Sequence, residues 1–112
     1  MDETAKRLTD LTERARAGSL TPKDVQGGTF TISNHGVSGS LVAAPIIINQ
    51  PQSAILGIGK LEKRAVVAPD DRIVAKPMIY VTLTIDHRVL DGFQANAFLT
   101  RWVETIERWP SL

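Results

Sequence analysis

Apolar residues alternate with polar ones through the middle of the chain and recur at three- and four-residue intervals at both ends. Between Thr4 and Ala17, Leu8, Leu11 and Ala15 share one stripe, and Lys, Arg, Asp and Glu surround it, which predicts a charged amphipathic helix. Gly18 is placed to cap its C-terminus. Thr21-Pro22-Lys23-Asp24 predicts a short helical turn, with Thr21 as N-cap and Pro22 at the first position. Gln26-Gly27-Gly28 is a breaker. Thr29 to Asn34 is a predicted strand, with Phe30 and Ile32 pointing one way and Thr29, Thr31 and Ser33 the other. His35 to Ser40 is a Gly/Ser-rich loop, and Ile46-Ile47-Ile48 is too short to assign before Asn49-Gln50-Pro51 closes it. Ser53 to Gly59 and Lys63 to Ala68 read as strands, followed by a Pro69-Asp70-Asp71 turn. Lys76-Pro77 leads into the longest predicted strand, Met78 to Asp86. Ile79, Val81, Leu83 and Ile85 form its apolar face, His87 continues that face, and Thr82, Thr84 and Asp86 occupy the other. Gly92 to Trp109 predicts a helix with Asp91 as N-cap and a buried stripe of Ala95, Phe98, Leu99, Trp102, Val103 and Ile106. The class is α+β, a mixed or mostly antiparallel sheet with helices at both ends.

Composition narrows the chemistry. At 112 residues the chain is one domain or less, and a core of that size leans on partners. Thirteen Lys and Arg against twelve Asp and Glu argue against a polyanionic or nucleic-acid partner. The absence of cysteine removes disulfides, thiolate metal sites and a cysteine nucleophile. No apolar signal core follows Met1-Asp2-Glu3-Thr4, and no apolar run approaches the ~20 residues that span a bilayer. A soluble protein of the cytoplasm is the expectation, or of the mitochondrial matrix for a eukaryotic source.

His87 is the residue with the most chemical content. It follows an apolar strand in Ile85-Asp86-His87-Arg88-Val89-Leu90-Asp91-Gly92. A partly desolvated imidazole with a carboxylate four residues on suits proton abstraction. His, Asp and Glu do not cluster at metal-ligand spacing. Spacing alone favours a satisfied strand-end histidine with Asp91 merely capping the helix. Ser33 could donate to a developing oxyanion; a strand serine bonded across the sheet is the plainer alternative. The loop from His35 to Ser40 and Gly57-Ile58-Gly59-Lys60 suggest phosphate cradles, but neither carries the residues of a P-loop. Lys60 to Arg64 reads as a solvated strand end, and Trp102 and Trp109 as core or interface.

Two strings taken together change these odds. Gln26-Gly27-Gly28-Thr29-Phe30-Thr31-Ile32-Ser33-Asn34 and Asp86-His87-Arg88-Val89-Leu90-Asp91-Gly92 resemble signatures of the dihydrolipoamide acyltransferases, the catalytic cores of 2-oxo acid dehydrogenase complexes. The stretch from Pro45 to Gly57 is similar to that family's central segment, so the resemblance runs from about Ala17 to Trp109. It implies a chloramphenicol-acetyltransferase-like fold and acyl transfer between coenzyme A and a dihydrolipoyl thiol. His87 matches the general base, Asp91 the acidic residue that helps position base and turn, and Ser33 the hydroxyl that stabilises the oxyanion. Residues 1–112 are expected to be the later part of the catalytic domain, with an N-terminal helix in 1–20 and the strands and second helix in 21–112. On that view the lipoyl domain, which carries the lipoate, the subunit-binding domain and the front half of the acyltransferase fold lie outside this sequence. The chain also stops short of the apolar tail that many members place between trimers.

The implied assembly is a homotrimer or larger symmetric core. Its partners are a lipoyl domain and the dehydrogenase and dihydrolipoamide dehydrogenase components, and the site lies between subunits. His35 departs from the family, which often has an apolar residue or glycine there. The Gly39-Ser40-Leu41 and Gln50 to Gly57 strings lean towards succinyl transfer, with acetyl and branched-chain acyl groups open and the coenzyme A contacts unassigned. The alternative is a non-catalytic half-domain that keeps only fold and assembly contacts. An unrelated small binding module would require both strings to be coincidence.

Overall fold

A computed structural model describes residues 2–44 and 46–110. Helix α1 (Asp2–Arg16) opens the chain, with Asp2 and Glu3 in its first turn and Arg14 and Arg16 in its last, each matched to the helix dipole. It closes at Gly18, which takes φ +67° while Ser19 N donates to Arg14 O (2.9 Å) and Gly18 N to Ala15 O (3.1 Å). A 3₁₀ turn at Pro22–Val25 follows, capped by Thr21. Asp24 accepts from Thr21 N and Oγ1, both at 2.7 Å, and grips both terminal nitrogens of Arg14. The Thr21 hydroxyl, the Thr21 backbone and then Arg14 hold the Asp24 carboxyl at about 2.

Five strands follow: β1 (Thr31–Asn34), β2 (Ala54–Ile58), β3 (Glu62–Val67), β4 (Ile73–Met78) and β5 (Val81–Ile85). One sheet has the order β1-β2-β5, with β1 parallel to β2 and β5 antiparallel to it. The other is the antiparallel ribbon β3-β4. The turn joining β3 and β4 places Asp71 at φ +61°, a conformation that aspartate tolerates, and pairs Asp70 with Arg72 at 2.6 Å. Helix α2 (Gly92–Glu107) completes the chain. The α+β class and the mixed sheet agree with the sequence reading.

The core is centred on β2. Ala54, Ile55 and Leu56 are buried, with Ala43 from the loop that crosses them, and Leu56 is fully enclosed. Gly57 lets that loop come close: a Cβ there would lie 2.6 Å from both Ala43 O and Thr82 Oγ1, and the Thr82 hydroxyl donates to that same carbonyl. Gln52 is the one buried polar side chain among the described residues. It accepts from Thr31 Oγ1 (2.6 Å) and donates to Gly28 O (3.2 Å), tying the entry of β1 to the loop before β2.

Three expectations need correction. The predicted strand from Met78 to Asp86 is two strands, because Ile79 and Tyr80 carry the chain from the ribbon into the sheet. Strand β4 also begins earlier, at Ile73, and runs through Pro77. Each strand of a two-stranded ribbon has a free edge, so a missing N–H there need cost no ladder bond. Last, the two amphipathic helices do not bury their stripes. Leu8 is 67 % exposed and Ala15 is exposed, while on α2 Ala95, Leu99 and Trp102 are half-buried and Phe98, Val103 and Ile106 exposed. Too few described residues lie against them. Phe98 meets Phe30 with ring centroids 5.8 Å apart, yet a cavity of about 510 Å³ opens between α2 and the sheet, walled by Phe30, Pro51, Leu83, Leu90 and Phe98. A second, of about 600 Å³, lies between Pro77, Ile79 and Val81 and the Trp102–Ile106 end of α2.

Candidate active site

The turn after β5 is built around Asp86. Its N–H donates to Ser53 O (2.8 Å), which continues the sheet one residue past the Ile85–Ala54 pair. Its carbonyl accepts from Val89 N (2.9 Å) and Leu90 N (3.0 Å), so the chain reverses within four residues. Its carboxylate turns back onto Arg88, accepting from the backbone N–H at 3.0 Å, from Nε at 2.9 Å and from Nη2 at 2.6 Å. The Arg88 side chain, then its backbone N–H, holds the Asp86 carboxyl at about 2. Asp86 thus anchors the turn, and His87 stands exposed at its tip.

That exposure corrects the expectation of a desolvated imidazole. The β5 face that His87 continues is only half-buried, and no described element covers its end. Asp91 stands at the N-cap of α2. Its carboxylate accepts from Gln94 N (2.8 Å) and its N–H donates to Gln94 Oε1 (3.1 Å), a reciprocal cap on α2. No hydrogen bond joins it to His87 among the described residues. Replacing Asp91 by alanine should cost about 1 kcal/mol in urea unfolding, and replacing it by asparagine only a few tenths. Equal losses from both would deny the capping role.

The Asp86 anchor carries a pH signature. The folded carboxyl titrates at about 2, below the ordinary 3.8. Its stabilising contribution is therefore complete above about pH 4 and is lost as pH falls through about 2. Arg88→Ala removes the larger cause, so the Asp86 midpoint in a carboxyl NMR titration should rise towards the ordinary value. An unmoved midpoint would assign the depression to some other group.

Ser33 lies elsewhere. It pairs with Gly57 of β2, which pairs with Thr82 of β5. His87 is five residues beyond Thr82, on the order of 15 Å along the strand direction, with two further strand spacings to cross. The sheet register therefore keeps Ser33 and His87 of one chain apart. Ser33 is half-buried, and its Oγ lies 3.0 Å from Nε2 of His35. That contact escaped the sequence reading, although positions two apart on a strand share a face and could have suggested it. Among the described residues no three His, Cys, Asp or Glu side chains gather as a metal group.

Comparison with known proteins gives the family. The model of the 2-oxoacid dehydrogenases acyltransferase (catalytic domain) matches residues 1–112. The dihydrolipoyllysine-residue succinyltransferase component of the 2-oxoglutarate dehydrogenase complex of Rickettsia felis is 50 % identical over 105 residues, which are 94 % of this chain and 26 % of that protein. The Azotobacter vinelandii dihydrolipoamide acetyltransferase, studied for the role of a serine, a histidine and an asparagine in its catalytic mechanism, superposes with a TM-score of 0.86 at 33 % identity. The match covers 95 % of this chain and 43 % of that one. The cubic core of the pyruvate dehydrogenase multienzyme complex superposes with a TM-score of 0.84 at 33 % identity, over 92 % of this chain and 42 % of that one. The chain thus spans about a quarter of the length of the curated relative and under half of either solved structure. With residues 1–112 all matched by the family model and the same fold in those cores, the chain belongs to the 2-oxoacid dehydrogenase acyltransferases and has the chloramphenicol-acetyltransferase-like fold of their catalytic domain.

Proposed function

We propose that this chain supplies the base and the oxyanion donor for transfer of an acyl group between coenzyme A and a dihydrolipoyl thiol, at a site shared by two copies. The observation that carries the reading is the placement of the two groups. His87 projects from a turn anchored by Asp86 at one end of β5, while Ser33 lies across the sheet near the other end. A neighbour that covers the exposed His87 would provide both the missing hydroxyl and the exclusion of water. The open faces along α2 and the sheet suit packing against further protein, and the likeness to a cubic core supports a symmetric assembly built from trimers.

The chemistry is thioester exchange. His87 takes the proton as the thiol sulfur attacks the thioester carbonyl. The carbonyl oxygen becomes an oxyanion and accepts a hydrogen bond from the Ser33 hydroxyl. The tetrahedral intermediate collapses, the second C–S bond breaks, and the leaving thiolate recovers the proton from His87. Atoms and charge balance without a covalent enzyme intermediate.

The histidine and asparagine of the Azotobacter protein are four positions apart, as are His87 and Asp91. Asparagine caps a helix as well as aspartate does, so an asparagine in place of Asp91 would keep the cap without the charge. The name of the Rickettsia relative supports succinyl as the acyl group. It also supports a place in a 2-oxoglutarate dehydrogenase complex. We propose a lipoyl domain, a dehydrogenase and a dihydrolipoamide dehydrogenase as partners there, in the cytoplasm or mitochondrial matrix.

The test offers succinyl-, acetyl- and isobutyryl-coenzyme A with dihydrolipoamide to the assembled acyltransferase that contains this chain. Turnover is expected with succinyl-coenzyme A foremost, and none from the isolated monomer. A folded assembly that turns over no donor would sink the reading and leave a half-domain that serves assembly alone.

A further inference from the structure

Ser33 does not present its hydroxyl alone. The His35 imidazole sits on the same face of β1 and its extension, with Nε2 3.0 Å from Ser33 Oγ. His35 is half-buried and its backbone is fixed on several sides. Its N–H donates to Ile58 O at 2.9 Å, and its carbonyl accepts from Ser38 N at 3.1 Å and Ser40 N at 3.3 Å. The next residue, Gly36, rests against the Gly59 carbonyl where any side chain would collide, and its N–H donates to Asn34 Oδ1 at 3.0 Å. The loop that resembled a phosphate cradle is thus a short 3₁₀ turn, Gly36–Ser38, that holds an imidazole beside Ser33.

A serine hydroxyl has one proton and two lone pairs. If His35 accepted that proton, Ser33 would have none to offer an oxyanion. If Nε2 carries hydrogen and donates to Oγ, the Ser33 proton stays free, and the bond received by the oxygen polarises the O–H. Resting on the reading of Ser33 as oxyanion donor, we infer that His35 is a positioning residue: its Nε2–H donates to Ser33 Oγ and leaves the hydroxyl proton to the oxyanion of the acyl-transfer intermediate. No proton moves between the two side chains. His35 acts through Ser33 and does not touch substrate.

In the active assembly, His35→Phe keeps a ring and removes the donor. It should lower kcat about three- to tenfold, the worth of one neutral hydrogen bond, and leave KM for the acyl donor unchanged. His35→Gln places an amide N–H₂ at similar reach and should restore most of kcat. In a Ser33→Ala background, His35→Phe should have no further effect. An unchanged kcat in His35→Phe, a Gln variant as impaired as the Phe variant, or the same loss without the Ser33 hydroxyl would each overturn the inference. A readout free of activity separates it from the functional reading. Nitrogen-15 NMR of His35 should show hydrogen on Nε2, and hydrogen on Nδ1 alone would overturn the donor assignment even in an active enzyme. An assembly that transfers no acyl group while His35 carries Nε2–H would instead remove the oxyanion role and leave the contact standing.

Discussion

Replacing His87 by alanine is expected to reduce acyl transfer by about a thousandfold or more, the worth of a general base to a step that must deprotonate a thiol. The sequence has two histidines and no cysteine, and the second histidine, His35, is occupied against Ser33 far across the sheet. Asp86 is tied to Arg88 and Asp91 to Gln94, so both carboxylates are already engaged in local structure. The loss should fall on kcat, because removing an imidazole leaves the remaining contacts to both thiols in place. The substitution should also be structurally quiet. His87 is exposed at the tip of a turn whose hydrogen bonds belong to Asp86, Arg88, Val89 and Leu90, so no packed side chain loses a partner. Circular dichroism and assembly size should therefore match wild type, and a coupled thioester assay should show the loss. A correctly assembled variant that kept most of its turnover would remove His87 from the role of base.

Which parts of this were legible beforehand follows from the physics of each signal. Caps were legible because they are local: Thr21, Gly18 and Asp91 act on backbone within five residues of themselves. Strand β1 was legible because its alternation follows a breaker, and β2 because a short apolar run is bounded by Asn49-Gln50-Pro51 and Gly59. The break at Ile79 and Tyr80 was not, because the chain moves from ribbon to sheet without losing its alternation, and periodicity reports which face is apolar but not which strand it pairs with. The start of β4 was hidden by Pro77, whose meaning depends on whether the strand has a free edge. Burial was read least well. The stripes of α1 and α2 are apolar as predicted, but coverage depends on what lies opposite, and little of it is among the described residues. The same gap explains His87, whose place on an apolar face suggested burial that a single copy does not supply. Gln52 had no periodic signal at all, since its burial depends on two hydrogen bonds to residues more than twenty positions away.

Ser33→Ala is expected to lower turnover by roughly a hundredfold, the usual cost of one oxyanion donor, with little change in affinity for the thioester. An oxyanion donor acts only when the carbonyl oxygen carries charge, which is in the transition state and intermediate. A loss confined to KM would make Ser33 a binding residue instead. The sheet register adds a second test that depends on neither magnitude. Because Ser33 and His87 of one chain lie on the order of 15 Å or more apart, the proposed roles predict a site that combines copies. Each interface of a ring presents one surface from each neighbour, so random mixing of Ser33→Ala and His87→Ala copies leaves about one site in four with both groups intact. Mixed assemblies should recover activity that neither variant has alone, in proportion to that fraction. If mixing recovers nothing while subunit exchange is shown by mass, the two groups serve one chain, and the separation in the sheet would have to close by a rearrangement of β1 against β5.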